Sequence, residues 1–205
     1  KMILPSFWGS TGIMLVVGAV LYTVFLLFSG ATLMQGVLCL WLFLEMVVNW
    51  NAMSYLTAIK DYRSILYSFV AAVLVAFVTS CVLLVLACSP VESLLFAVVL
   101  GYGVMLVWDV LLLHRYFPQS RENPWLFLQW VDQFLPLALT GLFTTIGLFA
   151  HLVITWCGPL GIKVKGLFYG APYYDVPAML AFLTILITTV NFVVSVEVKD
   201  RKSVV

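Results

Sequence analysis

Glu45 stands near the middle of an apolar run from Leu33 to Tyr55, and no other residue of the chain is as well placed to do chemistry. A charged side chain at the centre of a bilayer costs about 2.5–3.5 kcal/mol by insertion scales, so Glu45 must face protein or water. Trp41 lies one helical turn before it and Asn49 one turn after. An indole N–H, a carboxyl and an amide therefore share one helical stripe at i, i+4 and i+8. Two readings of the stripe stay open: a substrate or proton site, or hydrogen bonding that ties helices together.

Two further apolar runs carry polar stripes. Thr184, Thr188, Asn191 and Ser195 recur at steps of four, three and four, one helical face about 17 Å long at roughly 1.5 Å per residue. Thr140, Thr144, His151 and Thr155 repeat the feature, with Gly147 between them on the same face. Two adjacent helices of this kind suggest a shared wet cavity. The alternative is that Ser and Thr bond back to their own helix carbonyls while small residues let helices pack closely. Asp109, about one turn inside a membrane boundary, is expected to form an interfacial ion pair with Lys60, Arg63 or Arg115. His114 and Asp132, at the boundary itself, are expected to be solvated. His151 is read as an interfacial histidine bonded to a neighbour, with a proton relay as the alternative.

Other chemistries find no residues to support them. Cys39, Cys81, Cys88 and Cys157 stand singly in or at the ends of apolar runs, with no C-x-x-C pair and no nearby histidine to complete a zinc pattern. There is no H-E-x-x-H, no G-x-S-x-G, no nucleotide-binding glycine loop and no aspartate pair on facing helices. No enzyme, metal or cofactor is expected. Gly166 to Gly170, GLFYG, has the G-x-x-x-G form but lies in a loop and reads as a turn.

The elements that must hold these residues follow from composition. Of 205 residues 64% are apolar and 9% charged, which excludes a soluble enzyme, a nucleic-acid binder and a disordered linker. Six apolar segments are each long enough to cross a bilayer as a helix: about Ser10 to Phe28, Leu33 to Tyr55, Ile65 to Ala87, Ser93 to Leu113, Phe134 to Trp156 and Val176 to Val196. Runs such as LLFAVVLGYGVMLVW are apolar on every side, unlike the alternating strands of a transmembrane barrel. The fold class is an all-α integral membrane protein with six transmembrane helices.

Six crossings place Lys1, Lys60, Arg63, Arg115, Arg121, Lys199, Arg201 and Lys202 on one side and only Lys163 and Lys165 on the other. By the positive-inside rule both ends of this chain are cytoplasmic. With a net charge of +1, the basic residues serve orientation, and no nucleic acid is expected as a partner. The linker from His114 to Val131 contains Pro118 and Pro124 and then PWLFLQWVDQF, read as a short helix in the membrane interface. The external loop GPLGIKVKGLFYGAPYYDVP is expected to lack regular structure, gathering Phe168, Tyr169, Tyr173 and Tyr174 near Lys163 and Lys165. Asp175 follows as the expected N-cap of the sixth helix.

The stretch Leu135 to Val198, LPLALTGLFTTIGLFAHLVITWCGPLGIKVKGLFYGAPYYDVPAMLAFLTILITTVNFVVSVEV, resembles the PelG family, inner-membrane transport proteins for the Pel exopolysaccharide. NWNAMSYLTAIKDYRSILYSF, Asn49 to Phe69, and HRYFPQ, His114 to Gln119, extend the resemblance over most of the chain. It implies an exporter fold of two six-helix bundles around a cavity with alternating access, of which this chain is an internal fragment. On that frame 1–113 holds four helices ending the first bundle and 114–133 is the cytoplasmic linker. Residues 134–196 hold two helices opening the second bundle, and 197–205 form a cytoplasmic tail. The implied function is export of an amino-sugar polymer across the bacterial cytoplasmic membrane for a biofilm matrix. The implied partners are the polysaccharide, a cytoplasmic glycosyltransferase, other membrane subunits of the system and the lipid bilayer.

The expected path residues are Glu45, Asn49, Thr140, Thr144, His151, Thr184, Thr188 and Asn191. Lys163, Lys165, Tyr169, Tyr173 and Tyr174 are the external-loop candidates. The alternatives are an ion-coupled exporter of a lipid-linked sugar or small cation, and a non-transporting membrane scaffold for a polysaccharide synthase.

Overall fold

The computed structural model describes residues 3–86, 89–118, 123–185 and 188. It divides into two compact units, 1–136 and 137–205. The first holds α1 (Ile3–Phe28), α2 (Leu33–Ala58), α3 (Tyr62–Val85) and α4 (Pro90–Tyr116), then a 3-10 turn over Leu126–Trp130. The turn leads into α5 (Val131–Cys157), whose first residues belong to the first unit. The second unit continues with β1 (Ile162–Lys165), β2 (Phe168–Gly170) and a helix α6 over 172–185.

Helices α1 to α5 are each long and apolar enough to cross a membrane, and the chain is a multi-pass, all-α membrane protein. In hydrocarbon every backbone N–H and C=O must be satisfied internally, which leaves the helix as the form these runs can take. The helices extend beyond the apolar segments by up to seven residues at an end, because hydropathy marks the hydrocarbon core while the helix continues through the interface. The sixth segment begins as a helix at 172. Its expected end at Val196 lies outside the described residues.

Local chemistry sets the ends. Thr32 and Gln35 form a reciprocal capping box at the start of α2. Between α2 and α3 the turn passes through Lys60 at φ 65°, and Asp61 caps α3 by accepting from Ser64 N at 3.3 Å. Tyr116 at the end of α4 donates its hydroxyl to the other Asp61 oxygen at 2.5 Å. The bonds from Ser64 and Tyr116 hold the Asp61 carboxyl below the ordinary aspartate range. Pro90 opens α4, and His114 and Arg115 in its last turn complement the helix dipole.

Packing in the first unit centres on α4. Its buried residues Ser93, Ala97, Gly101, Met105, Asp109 and Leu113 recur every fourth position, a single ridge. Buried Ser68 and Ala72 on α3 continue toward Ala76 at the same spacing. A Cβ at Gly101 would lie 2.7 Å from Ala72 O and 2.9 Å from the Ala76 Cβ, so the two backbones approach as closely as small residues permit. At the other end of the ridge Leu113 joins Phe7, Val48, Ala52 and Leu56 in a buried cluster. Phe7 meets Tyr55 edge-on at a centroid distance of 5.5 Å.

Two expectations from sequence change here. The linker segment expected as a short helix is a five-residue 3-10 helix over Leu126–Trp130 that runs directly into α5 at Val131 rather than standing apart, with Asn123 Oδ1 accepting from Trp125 N at 3.0 Å. The asparagine bond and Pro124 hold the chain in a turn just before that helix starts. The external loop expected to be irregular is an antiparallel hairpin, Ile162 opposite Gly170 and Lys163 opposite Tyr169. Gly166, at φ 54°, and Leu167 make the turn, so the first two residues of GLFYG are turn and Phe168–Gly170 is strand.

Two outcomes test these arguments. Gly101→Val should lower thermal stability of the full-length protein by about 1–3 kcal/mol, the cost of overpacking against backbone. Gly12→Ala, where a Cβ meets nothing within 4 Å, should instead gain up to about 1 kcal/mol from helix propensity. Because Asp61 is depressed when folded, its contribution is fully present above the ordinary aspartate value of about 3.9 and disappears as pH falls through the lower folded value. Asp61→Asn should therefore flatten that acid limb of a pH–stability profile and leave stability unchanged in its pH dependence at neutrality.

Candidate functional site

The stripe on α2 forms as the spacing demands. Trp41 Nε1 donates to Glu45 Oε1 at 2.8 Å, so the carboxyl is oriented by its own helix. Asn49 Nδ2 donates across to Tyr102 O on α4 at 3.1 Å, the interhelical tie that one reading of the stripe anticipated. Glu45 retains 9% exposure and Asn49 2%. Gly103 of α4 makes the room: a Cβ there would stand 3.1 Å from Glu45 Oε1. Among the described residues Glu45 Oε2 and Asn49 Oδ1 have no hydrogen-bond partner.

Glu45 also borders open space on two sides. A cleft of about 700 Å³ is walled by Trp41, Glu45, Gly103, Trp108, Leu111 and Arg115. A second, of about 580 Å³, shares Trp41, Glu45 and Gly103 and continues to Leu15 and Leu44. The Trp41 ring is 59% exposed. The arrangement offers one carboxyl oxygen committed to an indole, a second that is buried without a partner, and two indole surfaces within an otherwise apolar wall. That combination suits an ammonium or hydroxyl donor on a ring whose C–H faces can lie on tryptophan.

Asp109 does not form the expected ion pair. It is fully buried on the α4 ridge, and neither carboxyl oxygen has a hydrogen-bond partner among the described residues. The side chain beside it is Ser68 of α3, whose hydroxyl donates to Ile65 O at 2.9 Å. Periodicity places Asp109 in line with Gly101 and Met105 toward the α3 seam, away from the basic loops. His114, expected to be solvated, is half-buried and lies 6.2 Å from the Trp8 ring. Asp132 has no described side chain.

Sequence reasoning missed one polar cluster. Asn51 Nδ2 donates to Thr11 Oγ1 at 2.5 Å and to Ser10 Oγ at 3.3 Å, joining α2 to α1. Two asparagines two positions apart on one helix point about 200° apart, and that was the available signal: Asn49 serves α4 and Asn51 serves α1.

The other candidates belong to the second unit. The hydroxyls of Thr144, Thr155, Thr184 and Thr188 donate to Thr140 O, His151 O, Leu180 O and Thr184 O, each at 2.7–2.9 Å along its own helix. A cleft of about 430 Å³ within this unit is lined by Gly147, His151, Tyr174, Ala178, Phe182 and their neighbours, without any of the candidate threonines. His151 packs edge-on to Tyr174 at 5.9 Å and against Phe182 at 5.8 Å. Asn191 and Ser195 lie outside the described residues. Lys163 and Lys165 are exposed on β1, Tyr169 on β2, and Tyr173 is 89% exposed, whereas Tyr174 is half-buried against His151.

Asp175 is not the N-cap. It lies inside the first turn of α6, where its carboxyl reaches back to Ala171 N at 2.8 Å and accepts from Trp156 Nε1 at 2.9 Å. One side chain thus joins the end of α5, the hairpin exit and the start of α6. Among the described residues no three His, Cys, Asp or Glu side chains gather to hold a metal.

The family model PelG, described as "Putative exopolysaccharide Exporter (EPS-E)", matches residues 1–200. No curated protein and no solved structure matches the chain.

Trp41→Phe removes the only hydrogen bond that Glu45 accepts among the described residues. It should destabilise the full-length protein by about 1–3 kcal/mol, the cost of an unsatisfied buried acceptor, read as a lower melting temperature in lipid nanodiscs. Trp50→Phe, at a ring 78% exposed on the same helix, should change it little.

Proposed function

We propose, for a chain that belongs to the PelG family of exopolysaccharide exporters, that the Glu45 cleft is a contact point for the exported polymer and that the polymer carries amino sugars. The observation that carries this reading is the Glu45 carboxyl itself, nine-tenths buried at mid-helix on the wall of a cleft, with one oxygen held by Trp41 and the other buried without a partner. A packed structural carboxyl would have both oxygens occupied, since an unsatisfied buried acceptor is costly. A free amine on a sugar ring supplies the missing donor and charge, and Trp41 and Trp108 supply flat apolar surfaces for the ring.

The remaining candidates have lesser parts. Asn49 fixes α2 against α4 and its amide oxygen is buried without a partner, so it keeps its place as a candidate by position beside Glu45 on the stripe. The hydroxyls of Thr144, Thr184 and Thr188 donate to their own helices and can serve a sugar only as acceptors. Thr140 and Asn191 keep their place as candidates by position on the same stripes, and His151 by its place on the cleft of the second unit. Lys163, Lys165, Tyr169 and Tyr173, exposed on the hairpin and after it, are available to polymer at the outer face, with Tyr174 beneath them. The transporter sits in the bacterial cytoplasmic membrane with both ends of this chain cytoplasmic, as the eight-to-two distribution of basic residues favours. It works with a cytoplasmic glycosyltransferase and further membrane subunits to supply a Pel-like biofilm polymer, and is not itself an enzyme.

Glu45→Gln in the full-length protein is the discriminating variant. Gln keeps an oxygen for the Trp41 indole and loses only the charge, so the fold should persist. Polymer secretion should fall at least tenfold while membrane assembly with partner subunits stays intact. Undiminished secretion would reduce Glu45 to a structural role, and assembly lost together with secretion would favour a scaffold. A flattened pH dependence with partial secretion would point to ion coupling at Glu45.

A further inference from the structure

Asp109 is not used by the export site described above, yet it breaks the hydrogen-bond accounting of the molecule more sharply than Glu45 does. It has no exposed surface, and neither of its oxygens has a hydrogen-bond partner among the described residues. A carboxylate anion in that state would carry the full cost of a buried, unpaired charge, several kcal/mol even after relaxation.

No cation offsets it. Asp109 forms no ion pair among the described residues, and the charged groups around it face elsewhere. On α3 the neighbour is Ser68, while Arg63 and Tyr67 are exposed on that helix. On α2 the facing residues at this end are Ala52 and Leu56 of the apolar cluster. The α2 carboxyl, Glu45, meets α4 at Gly103, six positions or about 9 Å of helix rise from Asp109. On α1 Phe7 joins the same apolar cluster, and on α4 itself His114 lies against Trp8 while Arg115 is exposed.

Ser68 has one hydroxyl proton and two acceptors near it, Ile65 O and the Asp109 carboxyl. Its single proton is donated to Ile65 O at 2.9 Å, so toward Asp109 it presents an oxygen lone pair. A lone pair facing a carboxylate is repelled, whereas a lone pair facing a carboxylic acid accepts its proton. We propose that Asp109 is a proton-binding site: the carboxyl is carried as the neutral acid at neutral pH and donates to Ser68 Oγ, closing the chain Asp109 O–H to Ser68 O–H to Ile65 O across the α3–α4 seam. Loss of that proton leaves an unpaired anion with no exposed surface on the same ridge that packs closely against α3 at Gly101, so deprotonation loosens α3 from α4. The seam is thereby a proton-sensitive joint, independent of what the Glu45 cleft carries.

Infrared difference spectroscopy of the full-length protein in nanodiscs tests this directly. At neutral pH the carboxylic-acid C=O band should lose intensity in Asp109→Asn and keep it in Glu45→Gln at the Asp109 frequency. Ser68→Ala should shift the same band to higher frequency, because the acid loses its hydrogen-bond acceptor. A band unaltered by Asp109→Asn, with loss of carboxylate intensity in its place, would overturn the proposal. If Asp109→Asn fails to assemble, Ser68→Ala still decides: an unshifted acid band overturns the pairing, and a shifted one supports it.

Discussion

The hydrocarbon environment supplies no hydrogen-bond partners, and the rest of this structure follows from that. Backbone groups must be paired within each segment, so the apolar runs are helices and the one pair of strands sits in the short connection between α5 and α6. The same constraint returns threonine hydroxyls to carbonyls one turn back, as at Thr144 and Thr184. It also assigns helix association to close approach and to a few side-chain ties rather than to hydrophobic exclusion. Gly101 against Ala72 is the first kind of contact; Asn49 to Tyr102 O and Asn51 to Thr11 are the second.

Against that background the two carboxyls of the membrane interior are costly exceptions, and they are treated differently. Glu45 is half served by Trp41 and lines two clefts, with its other oxygen buried behind that lining. Asp109 is sealed in a seam of small residues and has only a hydroxyl beside it. A group that must bind and release cargo needs access, and a group that senses protons needs only a defined cost for each charge state.

How much of this could be read beforehand depended on whether the determinant was local. Helix number and placement rest on hydropathy over twenty residues, and the Trp41, Glu45, Asn49 stripe rests on periodicity within one helix, so both were legible. The hairpin was not: four residues of IKVK alternate as a strand should, but the glycines and prolines around them read as breaks, and pairing with FYG needs the turn at Gly166. Asp175 showed the right residue type for a helix start and the wrong position, because Trp156, nineteen residues earlier, draws its carboxyl into the first turn. Asp109 was misjudged for the same reason. Distance from the membrane boundary suggested basic partners, and only the rotational setting of α4 against α3 shows that it faces Ser68.

Helix α4 carries both exceptional environments through two glycines. Gly101 faces Ala72 of α3, and Gly103 faces Glu45 of α2; two positions on a helix are separated by about 200°, so they lie on nearly opposite sides of it. A helix with backbone bonds satisfied throughout moves as a rigid rod, and α4 has no proline beyond its first position. A movement of α4 toward α2 would close on the Glu45 carboxyl at Gly103, where a Cβ would already stand 3.1 Å from Oε1.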